Sequence, residues 1–114
     1  MQRRAASSQI RNDVCYHNLP VTVVAVGGGL AYGNLGYSHH AVQDIAILRT
    51  LPNMTVLAPG DPGEARECVG WLSGHPGPSY LRIGKAGEKI LHDVRGIELE
   101  VIEQENDLQL ERGR

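Results

Sequence analysis

Two groups of side chains in this sequence could carry chemistry. Ser38, His39 and His40 stand together between a glycine-rich loop and an amphipathic stretch, and Arg82 lies in a short apolar run closer to the C-terminus. A neutral imidazole donates or accepts one hydrogen bond, whereas a protonated imidazole neutralises an oxyanion or a phosphate. A guanidinium binds the same groups through two parallel hydrogen bonds. These residue types favour a small anionic ligand.

Each group also has a purely structural interpretation. Two adjacent histidines are typical of a helix cap with a solvated neighbour, and Arg82 could pair with a carboxylate at a sheet edge. The loop after Val26 contains three consecutive glycines but neither the GxGxxG nor the Walker spacing, which argues against a nucleotide-binding Rossmann-like domain. Neighbouring residues on a helix point about 100° apart, so the histidine pair does not predict a metal site.

The elements that must position these groups alternate along the chain. Apolar periodicity predicts helices over residues 5–18 and 39–51, and Asp61, Pro62 and Glu64 form a capping pattern for a third helix. Short apolar runs predict strands over residues 21–26, 54–59 and 79–84. The alternation is typical of an α/β fold, with a three-layer parallel sheet and helices on both faces.

This fold predicts where the core and the site lie. The β-branched run VTVVAV, residues 21–26, predicts a strand that is covered on both faces. The helix stripes predicted to face the sheet are Ala41, Val42, Ile45, Leu48 and Leu51 in one helix, and Ala65, Cys68, Val69 and Leu72 in the next. Ligands of open parallel sheets bind at the carboxyl ends of the strands, so loop 27–38 and Arg82 are expected at one edge.

Composition and charge limit the classes of partner. The 114 residues carry 11 basic and 13 acidic side chains, a net charge of −2 that predicts no binding to nucleic acid or to an anionic membrane. We expect no transmembrane helix, because no apolar run approaches roughly 20 residues, and no signal peptide. Cys15 and Cys68 form no CxxC pair, so we expect two buried thiols in a reducing cytoplasm.

The chain resembles a known family over about residues 9–88. The stretch from QIRNDVCYHNLP to APGDPGEA, followed by GPSYLRIGK, is similar to the pyrimidine-binding domain of transketolase-type thiamine diphosphate enzymes. The branch whose enzyme is split into two subunits is the most similar. The combination of SHH, DIA, RTLPNM, APGDPGEA and PSYLR carries the resemblance. It implies a partial, truncated pyrimidine-binding domain over residues 1–95, with residues 96–114 as an edge strand or an interdomain linker.

The resemblance also implies roles for individual residues. His39 matches the family histidine that faces the reacting hydroxyl or oxyanion of the substrate, and it is the expected catalytic residue. Arg82 matches an arginine that contacts the substrate phosphate in sugar-phosphate enzymes. Gly36 and Ser38 match a Gly-Pro-Thr stretch before the histidine, and His40 is expected to support the site. No metal ligand or cofactor-binding residue is assigned.

The sequence departs from the family pattern at two places. Leu35 stands where many members carry an acid that binds a sugar hydroxyl, and Tyr37 replaces a proline. In the family, the glutamate that activates the cofactor lies on an upstream segment. We expect no counterpart of that segment before residue 9 of this chain. We therefore expect thiamine diphosphate and Mg²⁺ to be supplied mainly by a partner, without tight binding to this chain alone.

These observations predict a fragment or short subunit of a transketolase-like enzyme. Such an enzyme transfers a two-carbon ketol unit between sugar phosphates, and this chain would contribute residues of the substrate channel without being active alone. Its expected partners are further copies of itself, an N-terminal transketolase subunit, or both. Two alternatives stay open: a non-catalytic, truncated α/β assembly module, and a β-type subunit of a 2-oxo acid dehydrogenase or decarboxylase.

Overall fold

The chain folds around a three-stranded parallel sheet in a computed structural model, which describes residues 7–91. The predicted parallel α/β architecture is confirmed. The strands are β1 (Thr22–Val26), β2 (Thr55–Leu57) and β3 (Ser79–Ile83), and the helical segments are α1 (Ile10–Cys15), α2 (Asp44–Leu48) and α3 (Pro62–Leu72). No helix within the described residues is long and apolar enough to cross a membrane.

The strand order β1-β3-β2 places the last strand in the centre of the sheet. The chain crosses from β1 past the central position to β2 and then returns to β3, so its two connections run in opposite directions. Right-handed crossovers therefore place α2 and α3 on opposite faces of the sheet. Strand β3 supplies the best-buried apolar side chains of the sheet, Tyr80 and Leu81, because it has a hydrogen-bonded neighbour on each side.

The prediction that the first strand is covered on both faces is wrong. Strand β1 is an edge strand of the described sheet, and Val24 and Val26 are each 54% exposed on one of its faces. The other face, with Val23 and Ala25, is half-buried. A β-branched run satisfies the requirements of a strand whether or not a helix covers it, so the sequence pattern alone did not distinguish the two cases.

The first helix is wound more loosely than the periodicity predicts. Residues 7–9 are helical, and Ile10–Cys15 continues as a π-helix, so that the Tyr16 amide donates to the carbonyl of Arg11 at 2.9 Å. Cys15 is fully buried, and its carbonyl accepts a hydrogen bond from the side-chain amide of Asn53 at 3.2 Å. This contact fixes the end of α1 against the turn that precedes β2.

The helix predicted over residues 39–51 is much shorter in the structure. Tyr37–His39 forms a 3₁₀ turn, His40 is extended, and the α-helix covers only Asp44–Leu48. Val42 is 51% exposed rather than part of the core, whereas Leu48 is buried as predicted. His39 and His40 therefore do not stand at the N-terminus of this helix, and the interpretation of the pair as its cap does not hold.

Helix α3 follows its sequence signals closely. Asp61 is extended and buried, and its Oδ1 accepts from the Glu64 amide at 2.8 Å, which confirms the predicted cap. Cys68 is buried as predicted, but Val69 is exposed, since the helix presents only a narrow stripe to the sheet. Residues 1–6 and the predicted edge strand or linker, 96–114, lie outside the described residues.

We predict that Asp61→Ala destabilises the fold by about 2 kcal/mol, because it removes a helix cap and a second hydrogen bond. The second bond joins Asp61 Oδ2 to the Leu91 amide at 2.9 Å. Urea unfolding followed by the fluorescence of Trp71, the only tryptophan, measures the change. Asp61→Asn keeps a capping oxygen and should lose less, and equal losses in the two variants would contradict the capping role.

We predict that neither thiol reacts with a disulfide reagent in the native protein at neutral pH. Burial raises the pKa of Cys15, and burial raises the pKa of Cys68, with smaller contributions from the Glu64 and Glu67 carboxylates. A raised pKa leaves less of the reactive thiolate at neutral pH. Both thiols should react after unfolding in urea, and rapid native labelling would contradict their burial.

Candidate functional site

The candidate site begins at the turn that follows β1. The Gly27 amide donates to the Ile83 carbonyl at 3.0 Å, so the turn stays attached to the end of β3. Gly27 and Gly29 have φ angles of +79° and +62°, which residues with a Cβ rarely adopt. The three glycines therefore permit a sharp reversal of the backbone at the carboxyl edge of the sheet.

Gly28 allows the Arg82 side chain to lie directly across the backbone. A Cβ built on Gly28 would stand 2.5 Å from Arg82 Cδ and 2.8 Å from Arg82 Nε. Such distances are too short for a real contact, so only glycine lets the guanidinium occupy this position. Arg82 lies on the central strand and is partly exposed, which brings the predicted phosphate-binding residue to the expected edge.

A half-buried acid holds the inner end of this arginine. Arg82 Nη1 lies 3.6 Å from Asp44 Oδ1, and the Tyr80 hydroxyl donates to Asp44 Oδ2 at 2.6 Å. Burial, followed by the hydrogen bond to Asp44, raises the pKa of Tyr80 well above its ordinary value. Tyr80 therefore stays a hydrogen-bond donor over the physiological pH range. Arg82 thus does pair with a carboxylate, as its purely structural interpretation predicts. It lies on the central strand, however, and not at an edge of the sheet.

Backbone pairing joins Arg82 to the histidine segment. Gly29 and Ala41 exchange two backbone hydrogen bonds of 2.9 Å each, in an isolated antiparallel bridge. Arg82 Nη1 also lies 3.5 Å from the Ala41 carbonyl, in hydrogen-bonding geometry. Since His39 precedes Ala41 by only two residues, the Cα atoms of these two residues are at most about 7 Å apart. The structure thus brings Arg82 and the SHH segment to the same edge.

His39 is exposed in the 3₁₀ turn before this bridge. The Ser38 hydroxyl lies 3.0 Å from His39 Nδ1, which leaves Nε2 as the ring nitrogen that a substrate would meet. Gly36 has a φ angle of +82°, so the matched glycine is required by the backbone. The catalytic role of His39 and the substrate contacts of Ser38 and Gly36 stay predictions.

The neighbouring His40 makes contacts that suit a supporting role. Its Nε2 lies 3.4 Å from the Gly33 carbonyl, and its ring meets the Tyr37 ring edge to face, with centroids 6.4 Å apart. These contacts fold the loop 33–40 back on itself. They explain how Tyr37, which departs from the family pattern, is accommodated here, because its hydroxyl also accepts from the Gln43 side chain at 3.4 Å.

Sequence reasoning missed three side chains at this edge: Asp44, Tyr80 and Lys85. The Lys85 ammonium lies 5.4 Å from the centroid of the Tyr32 ring, and that ring covers Gly27. A second cation therefore stands beside the glycine turn. The sequence held one usable signal, because Tyr80 and Arg82 are two residues apart on a strand and so share a face. Nothing in the sequence pairs them with Asp44.

The fold and this edge define a class of protein. This class comprises the α/β domains that bind their ligands at the carboxyl ends of the strands of a parallel sheet. A family model described as "Transketolase, pyrimidine binding domain" matches residues 1–87. The chain belongs to this family, and the resemblance expected from the sequence is confirmed.

Relatives and a solved structure agree with this assignment. The chain is 42% identical over 78 residues to an apulose-4-phosphate transketolase subunit of Phocaeicola vulgatus, covering 68% of this chain and 25% of that protein. It is 41% identical over 86 residues to 1-deoxy-D-xylulose-5-phosphate synthase of Desulfotalea psychrophila, covering 75% of this chain and 13% of that protein. A solved structure described as "Split gene transketolase, inactive beta4 tetramer" matches with a TM-score of 0.68 and 35% identity, over 84% of this chain and 30% of that one. The chain thus spans a minor part of each.

The family implies dependence on thiamine diphosphate, and the described residues can be compared with what this group requires. Within residues 7–91, no three His, Cys, Asp or Glu side chains come together as an all-protein metal site would require. Magnesium on a diphosphate needs fewer carboxylates, but Asp44 is already engaged by Tyr80 and Arg82, and the Glu88 carboxylate lies against the backbone of Gly84. The described residues therefore do not offer a set of ligands for the metal ion that would hold the diphosphate.

Proposed function

We propose that this chain is part of a transketolase-like enzyme that transfers a two-carbon ketol unit between sugar phosphates. In this proposal the chain forms one wall of the substrate channel and acts in the cytoplasm. The observation that carries it is the position of Arg82, whose guanidinium contacts the Ala41 carbonyl beside the SHH segment. A phosphate held by Arg82 would lie close to the imidazole of His39.

The charges at the site support a phosphorylated substrate. Arg82 and Lys85 both lie beside the glycine turn, the Asp44 carboxylate is turned inward to Tyr80, and the Glu88 carboxylate lies against Gly84. A guanidinium and an ammonium together attract a dianionic phosphate more strongly than a carboxylate, which carries one charge. This favours a sugar phosphate over the 2-oxo acids of the dehydrogenase and decarboxylase alternative. The two curated relatives are also named for sugar phosphates, and both names describe those proteins only.

His39 is the proposed proton-transfer group. Its Nδ1 contacts the Ser38 hydroxyl, so Nε2 is the nitrogen that would exchange a proton with a substrate hydroxyl or stabilise an oxyanion. Thiamine diphosphate would supply the nucleophilic carbon when the complete site is assembled. We propose that a second subunit, which matches the N-terminal part of split transketolases, brings the metal and the diphosphate.

A second candidate function is assembly without catalysis. The exposed Val24 and Val26 on the edge strand favour it, since an apolar sheet edge is a surface on which chains associate. The solved relative is itself described as an inactive beta4 tetramer. On this candidate, further copies of the chain, and no catalytic partner, would cover β1.

We predict that the chain binds D-ribose 5-phosphate more tightly than D-ribose, and that Arg82→Ala removes this preference. Loss of a hydrogen-bonded charged partner should weaken phosphate-ester binding about tenfold or more. Titrations followed by ¹H–¹⁵N NMR give both dissociation constants. Arg66→Ala, on the outer part of α3 and away from the glycine turn, is the matched control and should leave both constants unchanged. Equal affinities of the wild-type chain for the two sugars would refute a phosphate site.

We predict that the chain co-purifies with a subunit that carries the metal- and diphosphate-binding domain, and that the complex transfers a ketol unit between sugar phosphates. His39→Asn should lower kcat by about 10²- to 10⁴-fold, because it removes proton transfer, with the complex intact. His17→Asn, at an exposed position before β1, is the control. A homo-oligomer that excludes such a subunit would favour the assembly function instead.

A further inference from the structure

We propose that Asp44 is a positioning residue, which, together with Tyr80 and Gly28, holds the Arg82 guanidinium ready for a phosphate. This inference rests on the proposed function of Arg82 as the phosphate-binding residue. It assigns to Asp44 a role in substrate affinity without any contact between its carboxylate and the substrate.

The two oxygens of Asp44 have separate partners. Oδ2 accepts the Tyr80 hydroxyl at 2.6 Å, which fixes the plane of the carboxylate. Oδ1 is buried, accepts no hydrogen bond among the described residues, and lies 3.6 Å from Arg82 Nη1. Its negative charge is thus directed at a single nitrogen of the guanidinium. Tyr80 is only 4% exposed, so this arrangement is anchored in the sheet.

Two backbone groups complete the cradle around the arginine. The Ala41 carbonyl lies 3.5 Å from the same Nη1, and the missing Cβ of Gly28 leaves room for Cδ and Nε. Both groups contact the side of the arginine side chain that faces the protein. The guanidinium carries five N–H donors in a fixed plane, and the side chain is 26% exposed, so donors remain for a ligand.

Preorganisation is the physical benefit of this arrangement. A free arginine side chain has several rotatable bonds and loses conformational entropy when it binds a phosphate. An arginine already held by Asp44, Ala41 and Gly28 has lost that entropy on folding. Binding of a phosphate therefore costs less conformational entropy. The outward N–H groups of the guanidinium are already oriented to donate hydrogen bonds to the phosphate.

Charge alone predicts the opposite effect, which makes the proposal testable. Asp44→Asn removes a negative charge near the phosphate site, so simple electrostatics would strengthen phosphate binding. If Asp44 positions Arg82, the same substitution should weaken the binding of D-ribose 5-phosphate about tenfold, as losses of orienting partners do at other binding sites. The sign of the change distinguishes the two explanations.

Two further variants test the cradle without changing its charge. Tyr80→Phe removes the hydrogen bond that orients Asp44, and Gly28→Ala places a methyl group where the Arg82 side chain now lies. Both should weaken binding of D-ribose 5-phosphate in the NMR titration and leave the weak binding of D-ribose unchanged. Gly33→Ala is the control, since a Cβ there meets no atom within 4 Å.

The order of the guanidinium gives a readout that needs no ligand. The ¹H–¹⁵N heteronuclear NOE of the Arg82 Nε–H group should be high in the wild-type chain and fall in Asp44→Asn and Gly28→Ala. Unchanged values in both variants, in chains that remain folded by circular dichroism, would overturn the positioning role. An ordered Nε–H group in a wild-type chain that binds no phosphate would instead refute the proposed function and leave the positioning intact.

Discussion

The hydrogen bond between Tyr80 and Asp44 is the contact on which the candidate site depends. It joins a buried residue of the central strand to the first turn of α2, and it spans 36 residues of sequence. Because the phenol is buried and its pKa is raised, the hydroxyl remains a donor at physiological pH. The carboxylate is thereby fixed, and its other oxygen faces Arg82. One hydrogen bond thus couples the packing of the sheet to the placement of a cation.

The Gly29–Ala41 bridge imposes a second constraint, on the histidine segment. Two backbone hydrogen bonds pair Ala41 with the glycine turn, and the α-helix begins only after Gln43. His39 is consequently presented from a 3₁₀ turn, at the end of a loop that His40 and Tyr37 fold back on itself. The imidazole is placed by backbone pairing between two loops instead of by a helix terminus. This arrangement brings it to the same edge as Arg82.

Strand β1 leaves an apolar face exposed at the edge of the described sheet. Val24 and Val26 lie on a strand with one hydrogen-bonded neighbour in the described sheet, and the chain spans 25% of the apulose-4-phosphate transketolase subunit that it resembles. An apolar strand edge of this kind favours association. The assembly proposal rests on this strand, whereas the catalytic proposal rests on the position of Arg82 at the carboxyl edge of the sheet.

A combination of motifs carried the resemblance to the family, and local patterns in the sequence were enough to predict the parallel α/β class, the cap of α3 at Asp61 and the edge at which Arg82 lies. They consist of strand-forming runs, a capping residue, and the rule that ligands meet the carboxyl ends of parallel strands. The folded chain was needed to show that α2 begins at Asp44, that β1 is an exposed edge, and that Asp44 and Tyr80 hold Arg82. These features depend on contacts between residues distant in sequence, and periodicity within a single segment carries no information about such contacts.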